Sequence, residues 1–210
     1  MSQPFILRFM TLDDLPQVAR IDKTSFPIPW STRTYEFEIN QNDNSQMLVI
    51  SRPAPPPAQP QPPPLTDLRH RLRQLLGASS SPASDLVVGL GGLWRAVDEA
   101  HISTIAVHPE WRGRGLGEVL LAGMIARGIA LGARQAALEV RVSNHVAQNL
   151  YRKYEFQTIA QHSHYYRDNG EDALLMQVAN LDAAYQARLA RRLRELQRRV
   201  PFTDRVNDPA

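Results

Sequence analysis

Three glycines and two arginines lie close together in the segment WRGRGLG, from Trp111 to Gly117. Glycine lets a ligand approach the backbone, and successive N–H groups at the start of a helix bind anions. Arg112 and Arg114 add positive charge at the same place. The segment therefore predicts a loop that cradles a pyrophosphate group, followed by a helix that begins near Leu116.

Two familiar phosphate loops fit this segment poorly. A P-loop requires a lysine after its last glycine, and none follows here. A dinucleotide fingerprint requires GxGxxG directly after a strand, with an acid about 20 residues later, a place that Glu139 could fill. However, Glu118 occupies the third glycine position, and the residues HPEW separate the preceding strand from the glycines. A helix-entry loop without any ligand is the plain alternative.

The elements that must position this loop follow from hydrophobic periodicity and breaker residues. In chain order the sequence predicts a strand, two helices, three strands, the glycine loop and its helix, a strand, a helix and two strands. The residues predicted for these elements are 5–10, 11–26, 31–40, 46–51, 85–97, 99–107, 116–131, 135–142, 143–154, 156–166 and 172–178. Ser31 is the expected cap of the second helix, and Ser143 or Asn144 that of the last.

Two segments stand apart from this pattern. Nine of the 16 prolines lie within 53–82, so 52–85 is interpreted as a Pro-rich insertion with one short helix over 65–77. The tail 181–210 carries an apolar helical stripe and six arginines between 188 and 199. It predicts either a docked amphipathic helix with a solvated basic face or a contact with RNA or another acidic partner. Residues 1–180 form the predicted main domain.

Bulk composition fits one globular domain. Hydrophobic residues make up 43% and charged residues 21% of the 210 positions, and there is no cysteine, which excludes disulfides and thiol chemistry. No apolar run reaches the ~20 residues of a membrane span, so we expect a soluble cytoplasmic protein without a membrane partner. The net charge of +3 is weak evidence for a polyanionic partner.

The order R-x-x-G-x-G from Arg112 to Gly117, after ISTIAVHPEW, resembles the pyrophosphate loop of the GNAT N-acetyltransferases. The order of elements is also that family's. The resemblance implies an α/β fold with a mixed sheet of about seven strands flanked by helices, and acetyl-CoA as acyl donor. It implies that the donor is held by Ile105, Ala106, Val107, Arg112, Gly113, Arg114, Gly115, Leu116, Gly117 and Asn144.

Three further motifs resemble the RimI-type ribosomal-protein-alanine N-acetyltransferases: SFPIPW (25–30), LEVRVSNHVAQNLYRKYEF (138–156) and HYYRDNGEDALLM (164–176). The resemblance covers about 5–51 and 86–179. It implies acetyl transfer to the α-amine of a ribosomal protein, with Glu139 as proton acceptor and Tyr151 as proton donor. An α-amine has a pKa near 8 and a lysine near 10.4, so deprotonating a lysine would cost about 3 kcal/mol more. One carboxylate is therefore adequate as the base for an N-terminal amine.

Each of these roles has a plainer alternative. Glu139 could be a carboxylate at the rim of the sheet, Tyr151 a core aromatic packed with its neighbours, and Asn144 a helix cap. The same resemblance assigns the acceptor groove to four aromatic residues, any of which could be ordinary core: Phe26, Trp30, Tyr165 and Tyr166.

The sequence departs from the family pattern twice. Glu155 replaces the glycine that usually ends the helix before Phe156, and His162 and Ser163 stand where two arginines are common. The second departure leaves the acceptor open. The rival functions are acetylation of a small-molecule amine and a non-catalytic acyl-CoA-binding module. No His/Cys cluster has metal-ligand spacing, so no metal is expected.

Overall fold

The computed structural model describes residues 4–53 and 85–207. The helix predicted over 65–77 lies outside this part. The described strands β1 to β8 are Phe5–Phe9, Ser45–Arg52, Leu86–Ala96, Glu99–Val107, Gln135–Arg141, Gln157–Tyr166, Glu171–Val178 and Phe202–Asp204. The α-helices α1 to α5 are Leu15–Ser25, Thr32–Asn40, Leu116–Ala130, His145–Lys153 and Ala183–Arg199. Short 3-10 turns at Leu12–Asp14 and Pro109–Trp111 precede α1 and the glycine loop.

The strands form one mixed sheet in the order β6-β7-β5-β4-β3-β2-β1-β8. β4 and β5 run parallel, as do β1 and β8, and the other described pairs are antiparallel. The parallel β4–β5 pair requires a long crossover, which the glycine loop and α3 supply. The glycine loop therefore follows the C-terminal end of β4, which is an interior strand of the sheet.

Both faces of the sheet are covered, because successive side chains of a strand point to opposite faces. On β2, Leu48 and Ile50 join the cluster that contains the buried residues of α3 and α5. Met47 and Val49 join the second cluster, which contains those of α1 and α2. The first cluster also includes Tyr151 of α4, so three helices pack on one face of the sheet and two on the other.

Helix starts follow the predicted caps. The Ser31 hydroxyl accepts a hydrogen bond from the Thr34 N–H at 3.0 Å, as expected for the start of α2. Asn144, rather than Ser143, caps α4, since its Oδ1 accepts from the Ala147 N–H at 3.1 Å. Such caps satisfy N–H groups that a helix leaves free at its first turn.

The C-terminal segment adds a strand to the sheet. The predicted stripe of α5 is buried, with Tyr185 at 0% and Leu196 at 1% exposure, and joins the core that α3 occupies. β8 then pairs in parallel with β1, with Phe5 opposite Phe202. The sheet thus has eight strands rather than about seven, because a three-residue strand after a proline carries too little periodicity to be predicted.

Glu155 keeps the conformation that glycine usually provides. Its φ is +68°, in the left-handed region, directly after α4. The carboxylate accepts hydrogen bonds from Arg188 and Arg192, each as close as 2.8 Å. The hydrogen bond from Arg188 is the main reason that the pKa of Glu155 falls to about 2. Two arginines of α5 therefore bind the Glu155 side chain, although the left-handed backbone conformation of Glu155 is strained.

None of the helices in the described part combines the length and apolar character that a membrane crossing requires.

Candidate active site

The strands β4 and β5 separate to open a cleft. Their parallel pairing extends from Glu99↔Gln135 to His101↔Ala137 and includes no later pair in the described part of the chain. Beyond this point each strand keeps its other neighbour, with Val107 paired to β3 and Arg141 to β7. A cleft of about 850 Å³ lies at the opening. One backbone edge of each strand therefore faces the cleft.

The predicted main-chain contacts lie on the separated part of β4. Ile105 lines the cleft, and Ile105 and Val107 are half-buried, whereas the Ala106 side chain is buried among α1 and its neighbours. Ser103 lies in an irregularity of the β3–β4 register, close to the point where β4 separates from β5. A bulge of this kind bends a strand locally, so it contributes to the separation.

The glycine loop has the backbone shape that an anion cradle needs. Gly113 and Gly115 have φ values of +74° and +80°, which other residues rarely adopt. A Cβ on Gly113 would meet no atom within 4 Å, and one on Gly117 would lie 3.8 Å from Val107. This open space lets a phosphate oxygen approach the N–H groups at the start of α3. The loop thus fits the pyrophosphate of an acyl-CoA.

The other predicted loop residues have distinct surroundings. Arg112 is exposed and donates to the Val107 carbonyl at 3.0 Å and the Ser25 hydroxyl at 3.2 Å. Arg114 lies over the ring of Trp111, 4.6 Å from its centroid. The Leu116 side chain is 1% exposed and belongs to the core. Leu116 therefore offers only its backbone, whereas the two guanidinium groups supply charge at the surface of the loop.

Glu139 lies in the cleft beside a histidine that sequence reasoning did not single out. Glu139 Oε2 is 3.0 Å from His101 Nε2, and Glu99 Oε1 is 3.3 Å from His101 Nδ1. The hydrogen bond and charge of Glu139 raise the pKa of His101 despite burial, and the same hydrogen bond lowers the pKa of Glu139. The carboxylate that lines the cleft is therefore not isolated, because Glu139 belongs to a coupled Glu–His–Glu group.

A sequence signal for His101 exists. Alternation along β4 places Glu99 and His101 on one face. The parallel pairing of β4 with β5 brings that face close to Glu139. The sequence alone does not single out His101, because the register of a parallel pair cannot be read from either strand alone.

Tyr151 projects from α4 into the same cleft and is 5% exposed. Burial raises the pKa of its phenol, so the hydroxyl stays protonated throughout the neutral range. The ring lies 6.1 Å from that of Phe156. Val146, on the same helix, is by contrast 85% exposed. Tyr151 is thus a buried aromatic that also presents a protonated group to the cleft.

Phe26 and Trp30 line the cleft on the side of α1 and α2, and both are partly buried against that core. Asp22 fixes the segment 26–30, which connects α1 to α2. Its carboxylate accepts hydrogen bonds from the Trp30 N–H at 2.6 Å and from the Tyr35 hydroxyl at 2.9 Å. The ring of Trp30 also stacks on Trp94, with centroids 6.3 Å apart. The segment 26–30 is therefore held in place and forms one aromatic wall of the cleft.

Tyr165 and Tyr166 form the opposite wall, at the end of β6. Arg141 lies 3.8 Å over the Tyr166 ring and binds Asp168 at 2.7 Å and Glu171 at 3.1 Å. Tyr165 is 47% exposed and packs edge-on against Tyr166. Through these contacts, Arg141 attaches the β6–β7 hairpin to the end of β5.

The cleft gathers eight of the predicted residues: Phe26, Trp30, Ile105, Glu139, Asn144, Tyr151, Tyr165 and Tyr166. Ala106, Val107 and the loop residues 112–117 lie outside its lining. Asn144 caps α4, so capping is observed and its side chain is also at the cleft. Within residues 4–53 and 85–207, no group of three or more His, Cys, Asp or Glu side chains is placed to hold a metal ion.

The residues 15–156 match the profile of the Acetyltransferase (GNAT) family. This match spans more than half of the chain, and the fold and the glycine loop agree with it. The chain therefore belongs to the GNAT acetyltransferase family.

Several relatives and solved structures are similar to this chain. A Bacillus subtilis protein named "Putative ribosomal protein bS18-alanine N-acetyltransferase" is 34% identical over 172 residues, 82% of this chain and 93% of that protein. The Escherichia coli ribosomal protein bS18-alanine N-acetyltransferase is 38% identical over 82 residues, 38% of this chain and 55% of that protein. Its fold is similar too: the crystal structure of the Escherichia coli ribosomal-protein-S18-alanine N-acetyltransferase has a TM-score of 0.62 at 22% identity, covering 85% of this chain and 96% of that one.

Proposed function

We propose that this protein transfers the acetyl group of acetyl-CoA to the α-amine of a protein N-terminus, and that its acceptor is a ribosomal protein of the bS18 type. The observation that carries the proposal is one cleft that both Glu139 and Tyr151 line, with His101 hydrogen-bonded to Glu139. The names of the Bacillus subtilis and Escherichia coli relatives support the acceptor class. Such an acceptor would be met in the cytoplasm.

The acyl donor would lie across the opening between β4 and β5. The N–H groups of Gly113 to Gly117, with Arg112 and Arg114 beside them, would bind its pyrophosphate. The free backbone edge of Ile105–Val107 would pair with the pantetheine arm as a further strand. N–H groups near Ala106 and Val107 would then polarise the thioester carbonyl.

The acceptor amine would enter between the two aromatic walls. The coupled pair of His101 and Glu139 would take the proton that the attacking nitrogen loses, directly or through one water. The new C–N bond forms as the C–S bond breaks, and Tyr151 would give its proton to the departing sulfur. An N-terminal amine needs only modest help, because its pKa of about 8 leaves part of it neutral at pH 7.

A peptide acceptor is supported by the shape of the cleft entrance. Phe26 and Trp30 lie on one side and Tyr165 and Tyr166 on the other, so an extended chain could lie between them. The arginines of α5 support an RNA contact less well. Arg188, Arg192 and Arg199 already form ion pairs within the chain, so the RNA contact remains only a prediction.

The proposal can be tested by incubating the protein with acetyl-CoA and an N-terminal peptide of a bS18-type protein. Mass spectrometry should locate one acetyl group on the α-amine. A matched peptide with a blocked N-terminus and a free lysine should remain unmodified. Transfer to polyamines or amino acids but not to peptides would favour the small-molecule alternative, and acetyl-CoA binding without any transfer would favour the binding-module alternative.

A further inference from the structure

The C-terminal segment lies against the glycine loop, although it follows the family-matched residues 15–156. A Cβ placed on Gly115 would come within 2.8 Å of Val200 Cγ2 and 4.0 Å of Leu196 Cδ1. The Phe5 N–H donates to the Pro201 carbonyl at 3.0 Å, and the Phe5 ring packs edge-on against Trp111. The end of α5 therefore lies directly beside the glycine loop. Phe5 also connects the C-terminal segment to Trp111, which comes just before the loop.

Glu118 connects the same segment to the first turn of α3. The Glu118 side chain is 10% exposed, and its Oε2 accepts from Arg199 at 2.7 Å. Its Oε1 accepts from Lys153 at 2.5 Å and from the Tyr154 hydroxyl at 3.1 Å. Three elements, α3, α4 and α5, thus meet at one carboxylate.

The charge of Glu118 matters because of its place on the helix. A carboxylate in the first turn of a helix is favoured by the same partial positive charge that attracts a bound anion. Without neutralising partners, the Glu118 carboxylate would compete with the pyrophosphate for that partial charge and would repel the pyrophosphate. Burial raises the pKa of Glu118, but the hydrogen bond from Lys153 and the charges of Lys153 and Arg199 outweigh it, so the group stays ionised.

We propose that Arg199 is a positioning residue for the acyl donor: its charge, added to that of Lys153, more than offsets Glu118, so that the loop Gly113–Gly117 keeps a net attraction for pyrophosphate. The inference rests on the proposed function, because it requires this loop to bind acetyl-CoA. With Lys153 and Arg199 both present, the cluster carries one excess positive charge. Loss of Arg199 leaves it neutral.

The test is calorimetric titration with CoA of the full chain and of three variants. Arg199→Gln should weaken CoA binding about two- to fivefold, the range expected for one charge near a helix terminus. The double variant Glu118→Gln/Arg199→Gln restores the excess charge and should return the affinity to that of the unaltered protein. Arg192→Gln breaks an ion pair of the same helix away from the loop and should leave the affinity unchanged.

Further readouts separate charge from folding. Arg199 is largely exposed, so its loss should change the melting temperature little. The deficit of Arg199→Gln should shrink in high salt, and kcat at saturating acetyl-CoA should not change. Unchanged CoA affinity in Arg199→Gln, or a double variant that remains weak, would overturn the inference. If the unaltered protein fails to bind CoA at all, the proposed function itself fails instead.

Discussion

His101 Nε2 lies 3.0 Å from Glu139 Oε2, across the parallel pair β4–β5 at the point where its pairing ends. The two side chains come from strands separated by the whole α3 crossover. Their hydrogen bond therefore depends on the register of the sheet. It also changes the expected chemistry, because a carboxylate paired with histidine is a weaker base than a free one, whereas the pair as a unit can accept a proton near neutral pH.

The pair should give a pH-dependent contribution to stability. The pKa of His101 is raised from 6.5, so its contribution is complete below that value and is lost as the pH rises through the folded pKa. The pKa of Glu139 is lowered from 4.5, so its contribution is present above that value and is lost as the pH falls through the folded pKa. His101→Gln should therefore lower the free energy of unfolding most between pH 4.5 and 6.5, as measured by urea denaturation across pH.

The same pair should control the pH dependence of turnover. Since the pKa of His101 is raised, the acidic limb of kcat/KM in the unaltered protein should lie above pH 6.5. Glu139→Gln should reduce kcat at pH 7 and recover at higher pH as the amine loses its proton unaided, with CoA affinity unchanged. Full turnover of Glu139→Gln at pH 7 would assign Glu139 to the rim of the sheet.

Tyr151→Phe removes one hydroxyl and keeps the ring that packs near Phe156. Loss of a general acid typically costs about 10²–10⁴-fold in rate, so kcat should fall by that amount with little change in melting temperature. An acyl donor with a more acidic thiol serves as the control, because its thiolate leaves without a proton and the deficit should shrink. An equal deficit with both donors would mean that the hydroxyl positions rather than protonates.

Gly113 is the better position for testing the anion cradle, since a side chain there meets open space, whereas one on Gly115 collides with Val200. Gly113→Glu should strongly reduce CoA affinity by placing a carboxylate at the pyrophosphate position. Gly113→Ala has the same backbone strain without the charge and is its matched control. Equal CoA affinity for the two variants in calorimetry would contradict the assignment of the loop.

Arg141→Lys should loosen the β6–β7 hairpin, because lysine cannot bridge Asp168 and Glu171 as a guanidinium does. The expected result is a severalfold increase in KM for the peptide at unchanged CoA affinity. Arg152→Lys, on the exposed face of α4, provides a control. A change in CoA affinity instead would show that Arg141 acts on the donor side of the cleft.

The insertion should be dispensable for the fold. Arg52 and Leu86 are paired neighbours in β2 and β3, so the described chain enters and leaves the insertion at adjacent positions. Replacing 54–84 by a short Gly/Ser linker should therefore preserve the melting temperature and peptide acetylation. A folded variant without activity would show that the replaced segment belongs to the site.

Local patterns predicted the elements well where capping and breaker residues mark them. Ser31 begins α2 and the glycines begin α3 as expected, because both signals act within a few residues. The pairing of His101 with Glu139 and the addition of β8 to β1 depend on contacts between distant segments. Glu155 shows the same limit: the sequence reveals the missing glycine, but not the arginines of α5 that hold the replacement.

The two edges of the sheet differ in how they could meet other chains. At one edge, the short strand β8 covers β1 and leaves three residues as the new border. At the other, β6 is a ten-residue strand with its side chains largely exposed, but its register with β7 shifts twice and His164 has a φ of +53°. An irregular, polar border is a poor template for adding a foreign strand. The distortion beside Tyr165 and Tyr166 thus also protects the protein against edge-to-edge aggregation.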